Sequence, residues 1–192
     1  MSLNVANVQR IGSSARAALL AHLLALDADD VRLRFGTSLA VPSIAAYVER
    51  IDFDRDAVFA VHDDALTIVG AAHVGFFDDA AELGVSVLPG QRGQGIGTAL
   101  VARASEHARN RKTNRLYMHC LAENAAMLAI ARKLGMSIVV NAGEADAHLA
   151  LPPASPVSVT REFIADQFAL IDYAVKAHVD ALRRAAASID ER

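Results

Sequence analysis

A single cysteine, Cys120, occurs in the 192 residues. An internal disulfide is therefore excluded, as is a metal centre built from a cysteine cluster, and no metal is expected. Such usage suits a reducing, cytoplasmic compartment. Long apolar runs are also missing. Although 53% of the residues are hydrophobic, nothing approaches the ~18 consecutive apolar residues of a membrane span. The N-terminus lacks the basic stretch, apolar stretch and cleavage site of a secretory leader, so no signal peptide is predicted. Positive charge is not in excess either. A formal net charge of −3, without any basic and aromatic stripe, argues against nucleic acid as the main partner. No internal repeat appears, and the length suits one good core rather than two.

What the chain does contain is an ordered alternation of patterns. Val8 and Ile11 are compatible with a first strand. Ser13 and Ser14 are candidate caps for a helix carrying Leu19, Leu20, Leu23, Leu24 and Leu26. Asp27, Asp29 and Asp30 break that pattern before a short VRLRF run, and Pro42 suits the first turn of a helix through about Arg50. Residues 57–62 and 66–77 read as a hairpin around Asp63–Asp64, and a strand at 81–88 completes a meander. A helix over 93–110 follows, then a strand over 115–121, giving a β-α-β unit with one parallel pair. Asn124 can cap a helix closed by Gly135. Residues 138–141 and 146–151 form a second hairpin. After the LPPASP interruption, Thr160 is read as the cap of a helix to about Ala187, with apolar positions every three or four residues.

The richest segment is AAELGVSVLPGQRGQGIG, residues 80–97, where an extended run meets Gly90, Gly93, Gly95 and Gly97 immediately before a helix. A strand delivering a glycine turn to a helix N-terminus can hold an anion through unpaired backbone N–H groups. It is not a nucleotide P-loop, which would end in GK[ST], nor a GxGxxG dinucleotide fingerprint. The run Arg92-Gly93-Gln94-Gly95-Ile96-Gly97, at the correct spacing from Asn124 through Gly135–Met136, resembles the acyl-CoA signature of the GNAT superfamily, the GCN5-related N-acetyltransferases. The resemblance covers roughly residues 5–151, and it implies a mixed α/β fold. Its sheet would be mostly antiparallel, with about six or seven strands, one splayed parallel pair and flanking helices. Residues 152–192 would be a linker and helical extension.

By that resemblance, amides of about 92–97, with Thr98, hold the pyrophosphate of acetyl-CoA. Backbone groups of Val87 and Leu88 pair with its pantetheine arm, and Asn124 and Met127 line it. Arg92 is a candidate phosphate contact. Arg109, Arg111 and Lys112 are candidates for the 3′-phosphate or, equally, a solvated helix end.

Acetyl transfer needs a neutral amine, whereas an alkyl amine of pKa ~10.4 is almost wholly protonated at pH 7. Glu82 is the first candidate base, sharing a strand face with Gly84 and Ser86. His119 is the second, on the neighbouring strand beside Tyr117, and either could move a proton. The departure from the family pattern is Ala131, where many relatives carry a tyrosine that protonates the leaving thiolate. The implied function is transfer of acetyl from acetyl-CoA to a primary amine of a small molecule or protein lysine. The alternative is a non-catalytic acyl-CoA-binding regulatory or scaffold protein. For the acceptor, the readings stay open: abundant aspartates lining one mouth and attracting a cationic amine, the same aspartates as turn formers and solubilising surface, which is the preferred view, or Arg32 and Arg34, alternating around Leu33, binding an acidic group. The long apolar stripe of the C-terminal helix makes homodimerisation an expectation.

Overall fold

The computed structural model describes residues 7–190. Its strands are β1 (Gln9–Ile11), β2 (Ala57–His62), β3 (Ile68–Phe77), β4 (Ala80–Val87), β5 (Arg115–Leu121), β6 (Ser137–Asn141) and β7 (Glu144–Ala150). Its helices are α1 (Arg16–Leu24), α2 (Ala28–Phe35), α3 (Val41–Glu49), α4 (Ile96–Asn110), α5 (Ala125–Lys133) and α6 (Pro156–Asp190). The strands form one sheet in the order β1-β2-β3-β4-β5-β7-β6, and only the β4–β5 pair is parallel. The expected mixed α/β architecture, with its parallel pair and long last helix, is what the chain adopts.

Period-2 alternation assigns each strand residue to one of two cores. Phe59, Val74, Leu83 and Leu116 point to one face and are covered by Leu100, Val101 and Ala104 of α4. Val58, Ala60, Ile68 and Ala71 point to the other, beneath Leu19, Leu23, Ile44 and Val48 of α1 and α3. Leu100 and Val101 are fully buried, so truncating Leu100 to alanine would cost roughly 2–5 kcal/mol. A smaller cluster of Met118, Ala131, Met136 and Ala147 seats α5 on the sheet.

Three sequence expectations need correction. Ser13 and Ser14 do not cap α1; they lie in a 3-10 turn, and Ala15 precedes the helix without a side-chain cap. The VRLRF run is not set apart from the aspartates before it. It belongs to α2, because the Asp27 carboxylate accepts the Asp30 amide at 2.8 Å as an N-cap, and Gly36 closes the helix at φ 75°. The last helix starts at Pro156 rather than after Thr160. Ser155 Oγ accepts the Ser158 amide at 3.1 Å while Ser158 Oγ accepts the Ser155 amide at 3.0 Å, a reciprocal box with proline at the first helical position.

α6 docks on α4 through polar groups. Glu162 accepts from Arg103 at 3.0 Å, His107 at 2.6 Å and Asn110 at 2.6 Å, and Arg103 also pairs with Asp166 at 2.6 Å. Burial alone would raise the Glu162 pKa, but His107, Asn110 and Arg103 together bring it down to about 2. No helix among the described residues is long and apolar enough to cross a membrane.

Candidate functional site

β4 and β5 pair only at Ala80–Arg115, Ala81–Leu116 and Glu82–Tyr117. Beyond Glu82 the two strands part, and a cavity of about 440 Å³ opens in the gap. Its floor is Val85, Ser86 and Val87; its walls come from α2, α5 and the start of α4. The Leu88 amide donates to Val69 O at 2.9 Å, so it faces β3. Because successive strand amides point in opposite directions, the main-chain groups of Val87 and Val85 face the gap instead. Leu88 thus does not offer its amide there.

The turn at the mouth is built from main chain. Gly93 and Gly95 adopt φ 76° and 82°, a left-handed conformation open to glycine at little cost. Gly95 is the N-cap of α4, whose first intrahelical bond runs from the Ala99 amide to Gly95 O at 2.9 Å. The Arg92 amide bonds Pro89 O at 3.3 Å, whereas the amides of Gly93 through Thr98 have no hydrogen-bond partner among the described residues. Six successive free donors, three of them at a helix N-terminus, form an anion cradle. The free run is therefore 93–98 rather than 92–97. Gly93, Gly95, Ile96, Gly97 and Thr98 border the cavity, and so do Arg92, Asn124 and Met127. Gln94 is not among them; its side chain donates to Gln91, which does border the cavity, at 3.2 Å.

Among side chains, Arg92 is ion-paired to Asp30, a buried carboxylate of α2. Asn124 caps α5 by accepting the Met127 amide at 3.1 Å and also approaches Leu33 O at 3.4 Å. Lys133, at the far end of α5, reaches the same cavity. Arg109 bonds Pro153 O and Arg111 bonds Arg55 O. Both belong to the C-terminal end of α4, about 20 Å along its axis from the cradle at 1.5 Å per residue, as does Lys112, so none of the three sits near a phosphate held at the N-terminus.

Glu82, Tyr117 and His119 do share one sheet face, at the point where the strands part, but none of them borders the cavity itself. Glu82 is exposed. His119 Nδ1 lies 2.8 Å from Asp146, and that carboxylate raises its pKa above the ordinary value. His119 is thus held in place by Asp146 on the exposed side of β5. Tyr117 lies beside His148, their ring centroids 6.3 Å apart. Ala131 is fully buried against Met118 and does not border the cavity.

A polar network on the α2–α3 side went unrecognised in the sequence. Arg34 Nη2 donates to Tyr47 Oη at 3.0 Å, Tyr47 Oη lies 2.7 Å from His73 Nδ1, and His73 Nε2 lies 3.0 Å from Asp56. One set of protons satisfies every bond: the tyrosine donates to a neutral His73, which donates through Nε2 to Asp56. Burial lowers the His73 pKa, which fits that neutral form. Nearby, His22 bonds Ile68 O and Ser86 Oγ, both at 2.8 Å, and burial lowers its pKa as well. Gly36, the acidic first turn and the basic last turn of α2 were the signals that could have shown this wall in advance. The aspartates do not gather at the mouth: Asp30 and Asp56 are paired, and Asp63 accepts the Ala65 and Thr67 amides within its own turn.

Residues 12–136 match the Acetyltransferase (GNAT) family. Compared by sequence with curated proteins, the chain has no significant match. Among solved structures, the GNAT domain of S. lividans PAT is similar, with TM-score 0.65 and 17% identity over 75% of this chain and 89% of that one. The ribosomal-protein-alanine N-acetyltransferase of Brucella melitensis aligns with TM-score 0.59 and 25% identity over 75% of this chain and 99% of that one. A putative acetyltransferase of Salmonella typhimurium, yncA, solved with acetyl-CoA, aligns with TM-score 0.59 and 19% identity over 77% and 95%.

Proposed function

Because the chain belongs to the GNAT acetyltransferase family, we propose that it moves the acetyl group of acetyl-CoA directly to a primary amine, on a small molecule or a protein lysine. The observation that carries this reading is the run of free amides from Gly93 to Thr98 at the mouth of the gap between β4 and β5. These amides would hold the pyrophosphate, with Arg92 and Lys133 adding positive charge beside it. The main chain of Val85 and Val87 would pair with the pantetheine arm as an added strand, against Met127 and Asn124. Acetyl-CoA supplies the activated carbonyl carbon and a thiolate leaving group.

This order along the cavity brings the acyl end toward Gly84 and Glu82. Glu82 is the candidate general base. The amine attacks in its neutral form, its ammonium proton already lost to solvent. Glu82 takes, directly or through a water, the one N–H proton given up as the nitrogen bonds the carbonyl carbon and the C–S bond breaks to release CoA thiolate. His119, held by Asp146, is the second candidate base, and Tyr117, opposite Glu82 in the parallel pair, is a candidate proton donor. Ala131 has no proton to give. A thiol of pKa ~8.5 leaves tolerably as thiolate, so that loss is bearable. The absence of a proton donor at Ala131 is also what favours the second reading, an acyl-CoA-binding protein without turnover. Thiol release from acetyl-CoA over a broad amine panel separates them: turnover supports the enzyme, while tight CoA binding with none supports the binding protein. Glu82→Gln is expected to lower kcat by ~100-fold or more with CoA affinity unchanged, and full retention of kcat/KM across pH 6–9 would remove Glu82 as base.

A second copy of the chain is the proposed partner, through the extension formed by residues 152–192. Among the described residues, 11 of the 16 exposed large hydrophobics lie on α6, enough to supply much of the ~800 Å² per partner of a standard interface. Ile164, Phe168, Ile171, Val175 and Leu182 recur at four- and three-residue steps and whole heptads, the spacing by which one helix packs on another. Light scattering showing only monomer at micromolar concentration would overturn it.

A further inference from the structure

Where β4 and β5 part, a cation without a counter-ion borders the cavity. The Arg34 guanidinium lies flat on Gly84: a Cβ built there would meet Cζ, Nη1 and Nη2 at 2.2, 2.2 and 2.3 Å. Any residue but glycine at this point in β4 would push it away. The Phe35 and Tyr47 ring centroids lie 4.8 and 5.7 Å from Cζ, and Tyr47 accepts one N–H from Nη2. Behind Tyr47, His73 and Asp56 fix the hydroxyl in place. Nε and Nη1 have no partner, and no carboxylate pairs with Arg34 among the described residues. Its neighbours are treated differently. Arg32 pairs with Asp29 and Glu123, and Arg92 pairs with Asp30.

The open donors of this half-buried guanidinium face the cavity, where a ligand can take them. Its planar fork, already immobilised, matches a carboxylate or a phosphate in two parallel bonds, and the coenzyme's pyrophosphate is proposed to sit at the Gly93–Thr98 turn instead. We infer that Arg34 anchors a carboxylate on the acceptor, so that the acceptor is a short amino acid with a free acid group. This rests on the acetyl-transfer reading and names the substrate class for it. The spacing fits. Gly84 and Glu82 lie on one strand face two residues apart, about 6.6 Å along the strand. An amine and a carboxylate on the same or adjacent carbons bridge that span when each makes a hydrogen bond of about 2.9 Å. A lysine within a protein chain carries no acid group at that distance. The fixed positive charge also disfavours the protonated form of an amine held beside it, which assists the attack.

The test measures thiol release from acetyl-CoA with the free protein amino acids and short ω-amino acids, each beside its carboxamide, and with an end-blocked lysine peptide. Calorimetry with CoA serves as the control for folding. At least one free amino acid should exceed its carboxamide by about 50-fold or more in kcat/KM. Arg34→Gln should bring that ratio within about threefold, mainly by raising the amino-acid KM, while CoA affinity stays within twofold. Arg34→Lys should recover only part, and Gly84→Ala should act like Arg34→Gln by displacing the guanidinium. The inference is overturned if carboxamides or the blocked peptide are used as well as the acids, or if the preference survives in an Arg34→Gln protein that binds CoA normally. Those results leave acetyl transfer standing; tight CoA binding with no turnover on any amine removes both.

Discussion

One wall of the cavity offers six main-chain amides, Gly93 through Thr98, on a glycine turn that delivers them to a helix end. The opposite wall presents the side chains of Arg34 and Ser86, each backed by groups that do not border the cavity: Tyr47, His73 and Asp56 in a line behind Arg34, and His22 behind Ser86. The first wall is set by backbone conformation and tolerates changes of side chain. The second depends on each donor meeting its acceptor and tolerates few. A backbone cradle suits an invariant ligand part such as a pyrophosphate, and a side-chain wall suits whatever must be told apart from its analogues.

The sharpest way to break this contrast is at Gly95. A β-branched residue at φ 82° is strained, so Gly95→Val should weaken CoA binding by about 100-fold or more by calorimetry while the protein stays folded. Unchanged affinity would mean that the turn does not hold the ligand. On the other wall, Tyr47→Phe removes the acceptor of the Arg34 bond and leaves His73 Nδ1 unpaired. It should raise the acceptor KM about five- to tenfold with CoA affinity unaltered, and equal effects on both ligands would erase the distinction between walls.

The side-chain wall is also the pH-sensitive one. Burial lowers the pKa values of His22 and His73 there from 6.5, and that of His62, beside Tyr173 of α6, as well. The unfolded chain therefore binds more protons below that pH. Their contribution to stability is complete above about 6.5 and is lost as the pH falls toward their folded values. His119, raised by Asp146, has the opposite sign but is exposed and weighs little. Urea melts should show lower stability at pH 5.5 than at 7.5; equal or greater stability at 5.5 would contradict the neutral assignments. The smallest effect is expected at Gln94, whose side chain bonds Gln91. Gln94→Ala should keep CoA affinity within twofold.

The same contrast explains what could be read from the sequence. The cradle was legible because glycines at fixed spacing before a helix leave few other conformations, and the hairpins and the parallel pair were legible from their turns and the β-α-β unit, whereas the place of β7 between β5 and β6 was not. The other wall was not. Arg32 and Arg34 read as alternating around Leu33, whereas in α2 Arg32 turns to Asp29 and Glu123 while Arg34 reaches Gly84. The Asp27 cap and Gly36 stop were available signals, but a contact between Arg34 and a glycine fifty residues away carries no local pattern. Arg92 shows the limit from the other direction, since the sequence suggested a phosphate contact and gave no hint of its ion pair with Asp30.

The central claim is that the Gly93–Thr98 amides grip a pyrophosphate, and calorimetry with CoA against pantetheine, which lacks it, tests this most directly. CoA should bind at micromolar concentration and pantetheine at least 100-fold more weakly. Equal affinities, or no binding of CoA to the folded protein, would contradict it.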